Sequence, residues 1–148
     1  YSLTIIGYVP NRVFINENKN QHNIVFTGHI EQKEIETYYL NSDCLIHASF
    51  REGCSNSILD AMRFQLPVIA SNIPENISLI GNNQNYLFHP NSVEELSKRL
   101  KDFSLHNNKE DSLTNYLVYQ NMKVKLHFNS NNNEYLIQEV KKCIRTIN

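Results

Sequence analysis

Two carboxylates, Glu52 and Asp60, lie in the stretch FREGCSNSILDAMRFQLPVIAS, residues 50–71. Glu52 follows an apolar run typical of a strand and precedes Gly53, which permits a tight turn and close approach of the backbone to a ligand. Asp60 falls about one turn inside the amphipathic run that comes next. Carboxylate oxygens accept hydrogen bonds, so Asp60 suits the paired hydroxyls of a ribose and Glu52 those of another sugar.

The segment between the two acids predicts a second kind of binding. A helix that begins at about Ser55 presents the free backbone N–H groups of Cys54, Ser55, Asn56 and Ser57 at its start. The helix dipole favours negative charge there, which suits an anion such as a diphosphate.

A purely structural interpretation accounts for the same residues. Ser57 and Asp60 fit a capping box with Asp in place of Glu, in which Asp60 satisfies backbone donors. Glu52 is then a solvated loop charge. His47, inside an apolar run, is more often a satisfied core or rim histidine than a catalytic base. Spacing alone does not decide between these interpretations.

The elements that would position these residues alternate along the chain. Apolar, β-branched runs predict buried strands at 2–7, 23–28, 44–49, 67–71 and 85–89. Helical patterns occur at 31–42, where Tyr38 and Tyr39 are predicted core residues, and at 55–64 and 74–80. This alternation predicts an α/β fold with a parallel sheet of about five strands flanked by helices. Ligands bind such sheets beyond the carboxyl ends of the strands, where Gly7, Gly28 and Glu52 fall.

From residue 92 to 148 the pattern is helical, with Ser92 and Glu95 as a capping box and further helices at 112–128 and 134–147. The first of these helices has a predicted buried stripe of Val93, Leu96, Leu100 and Phe103.

Composition excludes several classes. The net charge of −1 over 148 residues gives no footprint for nucleic acid. No apolar run approaches the roughly 20 residues that span a bilayer. The 3 cysteines lack C-x-x-C spacing and are interpreted as reduced thiols of a cytosolic protein, and the 6 histidines are scattered without metal-ligand spacing.

Several motifs resemble one family in register. Glu52-Gly53, Ser55-Asn56, Ala61-Met62 and Pro67-Val68-Ile69 are similar to the donor-site signature of family 4 glycosyltransferases, the large retaining group with the GT-B fold. The similarity extends over residues 2 to about 106. It implies a Rossmann-like sheet and identifies 1–148 as a single C-terminal donor-nucleotide-binding domain. The first βα unit and an N-terminal acceptor domain would then precede Tyr1, and we expect the chain alone to be inactive.

The resemblance also implies a site. Glu52 would be the catalytic residue, in contact with the transferred sugar. Asp60 would bind the ribose, Gly28, His29 and Ile30 would line the base pocket, and Gly7 would let the first turn approach the nucleotide. The donor-binding residues carried over in this way are Gly7, Gly28, His29, Ile30, Gly53, Cys54, Ser55, Asn56, Ser57 and Asp60.

The implied reaction transfers a sugar from a nucleotide diphosphate sugar to an acceptor hydroxyl with retention of configuration. No cofactor and no metal are expected. The acceptor would be a carbohydrate or lipid-linked molecule held by the N-terminal domain. Family analogy places the enzyme in surface polysaccharide or glycolipid synthesis, in the cytoplasm or at the inner membrane face, and leaves peripheral membrane association open. The alternatives are a nucleotide-sugar epimerase of similar fold and a non-catalytic, degenerate interaction domain.

Four residues depart from the family pattern, one of them Arg63 in place of a small residue. Asp60 stands where Glu is usual and reaches about one methylene less far. Gln65 stands where glycine commonly ends the helix, and a left-handed backbone there would cost about 1 kcal/mol. Ser78 stands where a glutamate often occurs.

Overall fold

Strands and helices alternate along residues 2–106, the part of the chain that this computed structural model describes. The elements are β1 (Leu3–Ile6), α1 (Arg12–Asn18), β2 (Ile24–Gly28), α2 (Gln32–Leu40), β3 (Leu45–His47), α3 (Asn56–Arg63), β4 (Val68–Ser71), α4 (Pro74–Ile80), β5 (Leu87–Phe88) and α5 (Val93–His106). All the predicted strands and the first four predicted helical segments are confirmed. The predicted helices at 112–128 and 134–147 lie outside the described residues.

The strands pair in parallel within two sheets. β1 pairs with β2 from Leu3↔Ile24, with an irregularity between Ile5 and Ile6. β4 lies between β3 and β5, with Leu45↔Val68 on one side and Ala70↔Leu87 on the other. The predicted α/β class with parallel strands and flanking helices is confirmed, and the strands divide between a 2-stranded and a 3-stranded sheet.

Contacts between residues divide the chain into unit 1, Tyr1–Asn41, and unit 2, Ser42–Asn148. Unit 1 contains the β1–β2 sheet and unit 2 the β3–β4–β5 sheet. That 1–148 form one domain stays a prediction.

The core of unit 2 forms around its central strand. Every residue of β4 is buried, because strands flank it on both edges and helices pack on it. α3 adds one apolar stripe in which Ile58, Ala61 and Met62 are fully buried at helical spacing. The remaining buried apolar side chains are Leu66, Ile73, Leu79, Ile80, Tyr86, Leu87 and Phe88.

Unit 1 is more open. Leu3 and Ile6 of β1 are 41% and 42% exposed, so the prediction of a buried first strand is wrong in this structure. β1 has a strand neighbour on one edge only, which leaves more of its surface accessible. Tyr38 and Tyr39, predicted to be core residues, are half-buried.

α5 begins as the sequence predicts. The Glu95 N–H donates to Ser92 Oγ at 3.1 Å, which is one half of the predicted capping box. The Glu95 carboxylate instead accepts from the His89 N–H at 2.7 Å.

The predicted buried stripe of α5 is confirmed except at its first position. Leu96, Leu100 and Phe103 pack against the cluster of Ile69, Tyr86 and Phe88. Val93 is 76% exposed, because α5 starts at that residue and its contact with the cluster begins at Leu96.

α3 ends without a glycine. Gln65 has φ 57°, so the left-handed backbone considered for this residue in place of the usual glycine is present. The Leu66 N–H donates to Ala61 O at 2.8 Å and the Gln65 N–H to Met62 O at 3.1 Å, the two bonds of a Schellman motif. The conformation costs about 1 kcal/mol or more with a side chain present.

Candidate functional site

Glu52 lies in the turn that connects β3 to α3. Its side chain is 26% exposed, and its Oε1 lies 3.1 Å from His47 Nε2. Ser49 Oγ donates to the same Oε1 at 2.5 Å. Among the described residues every side-chain contact of Glu52 falls on Oε1, so Oε2 remains for a ligand. Glu52 is therefore a positioned carboxylate and not simply a solvated loop charge.

His47 is the centre of this polar cluster. Besides Glu52, its Nε2 lies 2.9 Å from Ser55 Oγ and 3.2 Å from Ser49 Oγ. Its Nδ1 lies 3.3 Å from Ser57 Oγ. The prediction of a satisfied histidine is confirmed, but its contact with Glu52 was missed. The signal was the spacing of His47 and Ser49, which puts both side chains on one side of an extended backbone.

The start of α3 leaves donors for an anion. Ser55 is the N-cap and is 2% exposed, yet its side chain makes no capping hydrogen bond within the described part of the chain. Its hydroxyl contacts His47 instead. N–H groups in the first turn of α3 therefore lack the side-chain acceptor that an N-cap serine normally supplies.

The helix boundary also excludes the capping role considered for Asp60. α3 starts at Asn56, so Ser57 is its second residue and Asp60 its fifth, too far inside for a capping box. The Asp60 side chain is half-buried and makes no hydrogen bond or ion pair with any described residue. No hydrogen bond between described residues joins Asp60 to Glu52. Its carboxylate is accordingly available to a ligand.

Ser71 on β4 holds the backbone at Ser49. Its hydroxyl donates to Ser49 O at 2.6 Å and accepts from the Ser49 N–H at 3.2 Å. Asn76 Nδ2 donates to both Ser71 Oγ and Ser71 O at 3.0 Å. The Ser71 hydroxyl thus uses its one donor and both acceptor sites. Beyond His47↔Ala70, where the backbone ladder ends, a side chain continues the connection between the strands.

Two buried acceptors lie at the start of α4. Asn76 Oδ1 and Glu75 Oε2 have no hydrogen-bond partner among the described residues. An unsatisfied buried acceptor costs about 1–3 kcal/mol. No sequence pattern predicts them, since polar residues after Pro74 are ordinary in the first turn of a helix.

Unit 1 contains a separate feature, a cavity of about 250 Å³. Gly7 and Gly28 lie on its wall with φ 108° and 66°, a region in which a Cβ is strained. Gly7, Gly28 and His29, which the resemblance names as donor-binding residues, line this cavity, whereas Ile30 does not. Their role in donor binding stays a prediction. The lining residues are Gly7, Tyr8, Val9, Arg12, Ile15, Phe26, Gly28 and His29.

The cysteines of the described residues are free thiols. Burial, with a smaller effect from the Asp43 charge, raises the pKa of Cys44 to about 11, so this thiol stays protonated at neutral pH. Cys54 is exposed in the turn after Gly53. In residues 2–106 no three His, Cys, Asp or Glu side chains gather as metal ligands would. No helix in that range is both long and apolar enough to cross a bilayer.

Comparison with known families identifies the chain. A family model described as "Glycosyl transferases group 1" matches residues 1–117. The chain belongs to the glycosyl transferases group 1 family. This membership confirms the resemblance inferred from the Glu52 to Ile69 motifs.

Two relatives and one solved structure show how far the similarity to known proteins extends. The "Glycosyltransferase 1 domain-containing protein 1" of Xenopus tropicalis is 33% identical over 66% of this chain and 30% of its own length. The "Putative teichuronic acid biosynthesis glycosyltransferase TuaC" of Bacillus subtilis is 25% identical over 62% of this chain and 25% of its own length. The chain therefore spans between a quarter and a third of these relatives.

The solved structure is Anabaena Alr3699/HepE in complex with UDP. It superposes with a TM-score of 0.68 at 15% identity, over 99% of this chain and 40% of that one. Its complex with UDP-glucose also gives 0.68, at 14% identity over 98% and 41%. At this identity the superposition shows that this chain and that part of HepE share a fold, and nothing further.

Proposed function

We propose that this group 1 chain binds the nucleotide diphosphate sugar donor of a retaining glycosyltransferase that acts on an acceptor hydroxyl. The observation that carries the proposal is the arrangement at the start of α3. Ser55 turns its hydroxyl to His47 and leaves the first turn without a side-chain cap, and Glu52 lies in the turn just before it. An anion and a hydroxyl-rich group joined to it suit these two features together.

The diphosphate binds at the N-terminal end of α3 in this proposal. During transfer the bond between the anomeric carbon and the diphosphate oxygen breaks, and negative charge develops on the departing diphosphate. Backbone N–H groups and the helix dipole stabilise this charge most as it develops, which lowers the barrier. A new bond then forms between the anomeric carbon and the acceptor oxygen on the same face, and the acceptor hydroxyl passes its proton to the departing diphosphate.

Glu52 and Asp60 bind hydroxyl groups in this proposal. Glu52 contacts the transferred sugar through Oε2, since Oε1 is already engaged by Ser49 and His47. Asp60 accepts from the ribose, consistent with its half-buried carboxylate that has no partner among the described residues. For the nucleobase, the residues proposed from the family resemblance are Gly28, His29 and Ile30.

The wider role is proposed from the relatives. A hexose donor based on UDP is consistent with the UDP and UDP-glucose that HepE binds. Surface polysaccharide or glycolipid synthesis at the cytoplasmic membrane face is consistent with the teichuronic acid relative. A carbohydrate or lipid-linked acceptor and a reaction without a bound metal complete the proposal.

A donor screen on the full-length protein tests this function. UDP- and GDP-sugars are supplied with and without cell-derived acceptor glycans, and the anomeric configuration of the product is read by NMR. We expect transfer with retention, lost by at least about 100-fold in Glu52→Gln. Glu36→Gln, an exposed acid on α2, serves as the matched control and keeps full activity.

Other outcomes separate the alternatives. Turnover of the nucleotide sugar without acceptor identifies an epimerase. An active protein whose Glu52→Gln variant is unimpaired refutes the Glu52 site. If no donor is turned over by a folded wild-type protein, the enzymatic proposal fails and the interaction domain stands.

A further inference from the structure

We propose that His47 is a positioning residue that donates its Nε2–H to Glu52 and fixes this carboxylate for the donor sugar. The inference rests on the proposed function for its catalytic consequence and on the contacts of unit 2 for its geometry. His47 Nε2 and Glu52 Oε1 are 3.1 Å apart, and their side chains are 14% and 26% exposed.

Hydrogen-bond accounting assigns the proton on the ring. A carboxylate oxygen only accepts, so the 3.1 Å contact requires a hydrogen on His47 Nε2. Nδ1 then accepts from Ser57 Oγ at 3.3 Å when the ring is neutral. Ser49 Oγ gives its own proton to Glu52 at 2.5 Å, which leaves its lone pairs facing the ring. These directions give Glu52 Oε1 two donors, and Ser55 Oγ, 2.9 Å from Nε2, faces the same ring proton as a second acceptor.

The same directions exclude Ser55 as the nucleophile of a Ser-His-acid triad. Such a triad needs the carboxylate on one ring nitrogen and the nucleophilic hydroxyl on the other. Here both Glu52 Oε1 and Ser55 Oγ approach Nε2, at 3.1 and 2.9 Å. The Nε2 proton cannot be donated to Glu52 while Nε2 accepts one from Ser55. The ring therefore does not activate the Ser55 hydroxyl.

The positions of the two side chains that hold Glu52 are themselves fixed. His47 belongs to β3 and pairs with the buried Ala70 of β4. Ser49 has both backbone polar groups bound to Ser71 Oγ, which Asn76 holds in turn. Glu52 Oε1 thus receives hydrogen bonds from two donors that are anchored to the central strand of the sheet.

The consequence for transfer is geometric. With Oε1 bound on two sides, the carboxylate has one orientation, and Oε2 is the oxygen left for a sugar hydroxyl. A displacement of about 1 Å in a reacting geometry costs about 100-fold in rate, whereas donor affinity drawn from the diphosphate changes little. Loss of the His47 contact should therefore lower kcat more than it alters KM for the donor.

The test compares His47→Leu with His47→Gln in the full-length protein, with UDP-glucose as the first donor. We expect His47→Leu to lower kcat about 10- to 100-fold with KM for the donor within about threefold. His47→Gln, whose side-chain amide can donate to Glu52, should restore kcat to within about threefold of wild type. His22→Leu, at an exposed histidine of unit 1, is the matched control and keeps wild-type kinetics.

A ¹⁵N-histidine spectrum of the wild-type protein gives a readout that is independent of turnover. We expect a proton on His47 Nε2, and a changed Nε2 shift in Glu52→Gln. A ring that carries its proton on Nδ1 alone overturns the proposal, whether or not any donor is turned over.

The kinetic outcomes distinguish a failure of the His47 positioning role from a failure of the proposed function. If Glu52→Gln is inactive and His47→Leu is fully active, the positioning role fails and the proposed function stands. If the wild type turns over no donor, the proposed function fails and the spectrum still decides the His47 contact. Should His47→Leu not fold, Ser49→Ala removes the other donor to Oε1, and an unchanged kcat in that variant counts against the proposal.

Discussion

The two units build parallel strands from similar sequences and bury them very differently. All the buried residues of the described chain lie between Ser55 and Phe88, in unit 2. In unit 1, Leu3, Ile6 and Val25 remain 41%, 42% and 51% exposed. β4 has a strand on each edge, whereas β1 and β2 each have one. An apolar, β-branched run therefore marks a strand, and its neighbours decide how far the strand is buried.

The candidate chemistry follows the same division. The Glu52 cluster is attached to β3 and β4, where the backbone beneath it is held by a packed core. The unit 1 cavity is lined by residues next to half-exposed strands. A reactive carboxylate needs one orientation, which rigid elements supply.

The largest effect expected from this contrast is a core truncation in unit 2. Ile69→Ala on β4 removes a side chain with 0% exposure and should lower the free energy of unfolding by about 2–5 kcal/mol, because a cavity remains. Ile6→Ala on β1 is the matched change at 42% exposure and should cost less than about 1 kcal/mol. Urea denaturation of the chain measures both. Equal losses would show that the two units are equally packed.

A smaller effect is expected at the side chain that links β3 and β4. Ser71→Ala leaves the Ser49 backbone and the Asn76 amide without their shared partner, so unfolding should become easier by about 1–3 kcal/mol. Ser78→Ala, at an exposed hydroxyl of α4, should stay within about 0.5 kcal/mol of wild type. Urea denaturation measures the free energy of unfolding of both variants. If Ser71→Ala leaves it unchanged, Ser71 does not support the backbone beneath Glu52.

The smallest expected effect concerns the left-handed backbone conformation, which occurs in both units. Gly28 in unit 1 has φ 66° and Gln65 in unit 2 has φ 57°. Gln65→Gly relieves about 1–2 kcal/mol of left-handed strain and loses about half of that through the freer unfolded chain, for a net gain of up to about 1 kcal/mol.

Two substitutions check that the gain comes from the backbone. Gln65→Ala should give no such stabilisation, since alanine keeps the Cβ. Gly28→Ala should destabilise by about 1 kcal/mol, because it introduces in unit 1 the strain that Gln65 already carries in unit 2. Thermal unfolding of all three variants measures the differences, and a stabilising Gln65→Ala would assign the effect to the side chain.

Local signals in the sequence were sufficient to predict the strands and most of the helices. α4 was predicted at 74–80 and forms at Pro74–Ile80, because Pro74 and Gly81 bound a short apolar pattern. The position of Gln65 at the end of α3 followed from the family pattern, in which a glycine commonly ends this helix. Glu52 in a turn after a strand followed from Gly53 and the amphipathic run beyond it.

What the sequence did not predict depends on packing and on torsion angles within a turn. Two contacts compete for the Ser55 hydroxyl, a capping hydrogen bond at the start of α3 and a hydrogen bond to the histidine on β3. Only the folded turn shows that the hydroxyl contacts His47. The role of Ser71 needs the pairing of β3 with β4, which brings its hydroxyl within hydrogen-bond distance of the Ser49 backbone. The exposure of β1 and Val93 depends on their neighbours, which periodicity does not report.

The bond between Ser71 and Ser49 joins residues separated by 22 positions. This bond exists only when the β3–α3–β4 crossover is closed, and closing it carries an entropy cost. A chain in which β4 has separated from β3 therefore lacks the bonds that hold Ser49, one of the two partners of Glu52.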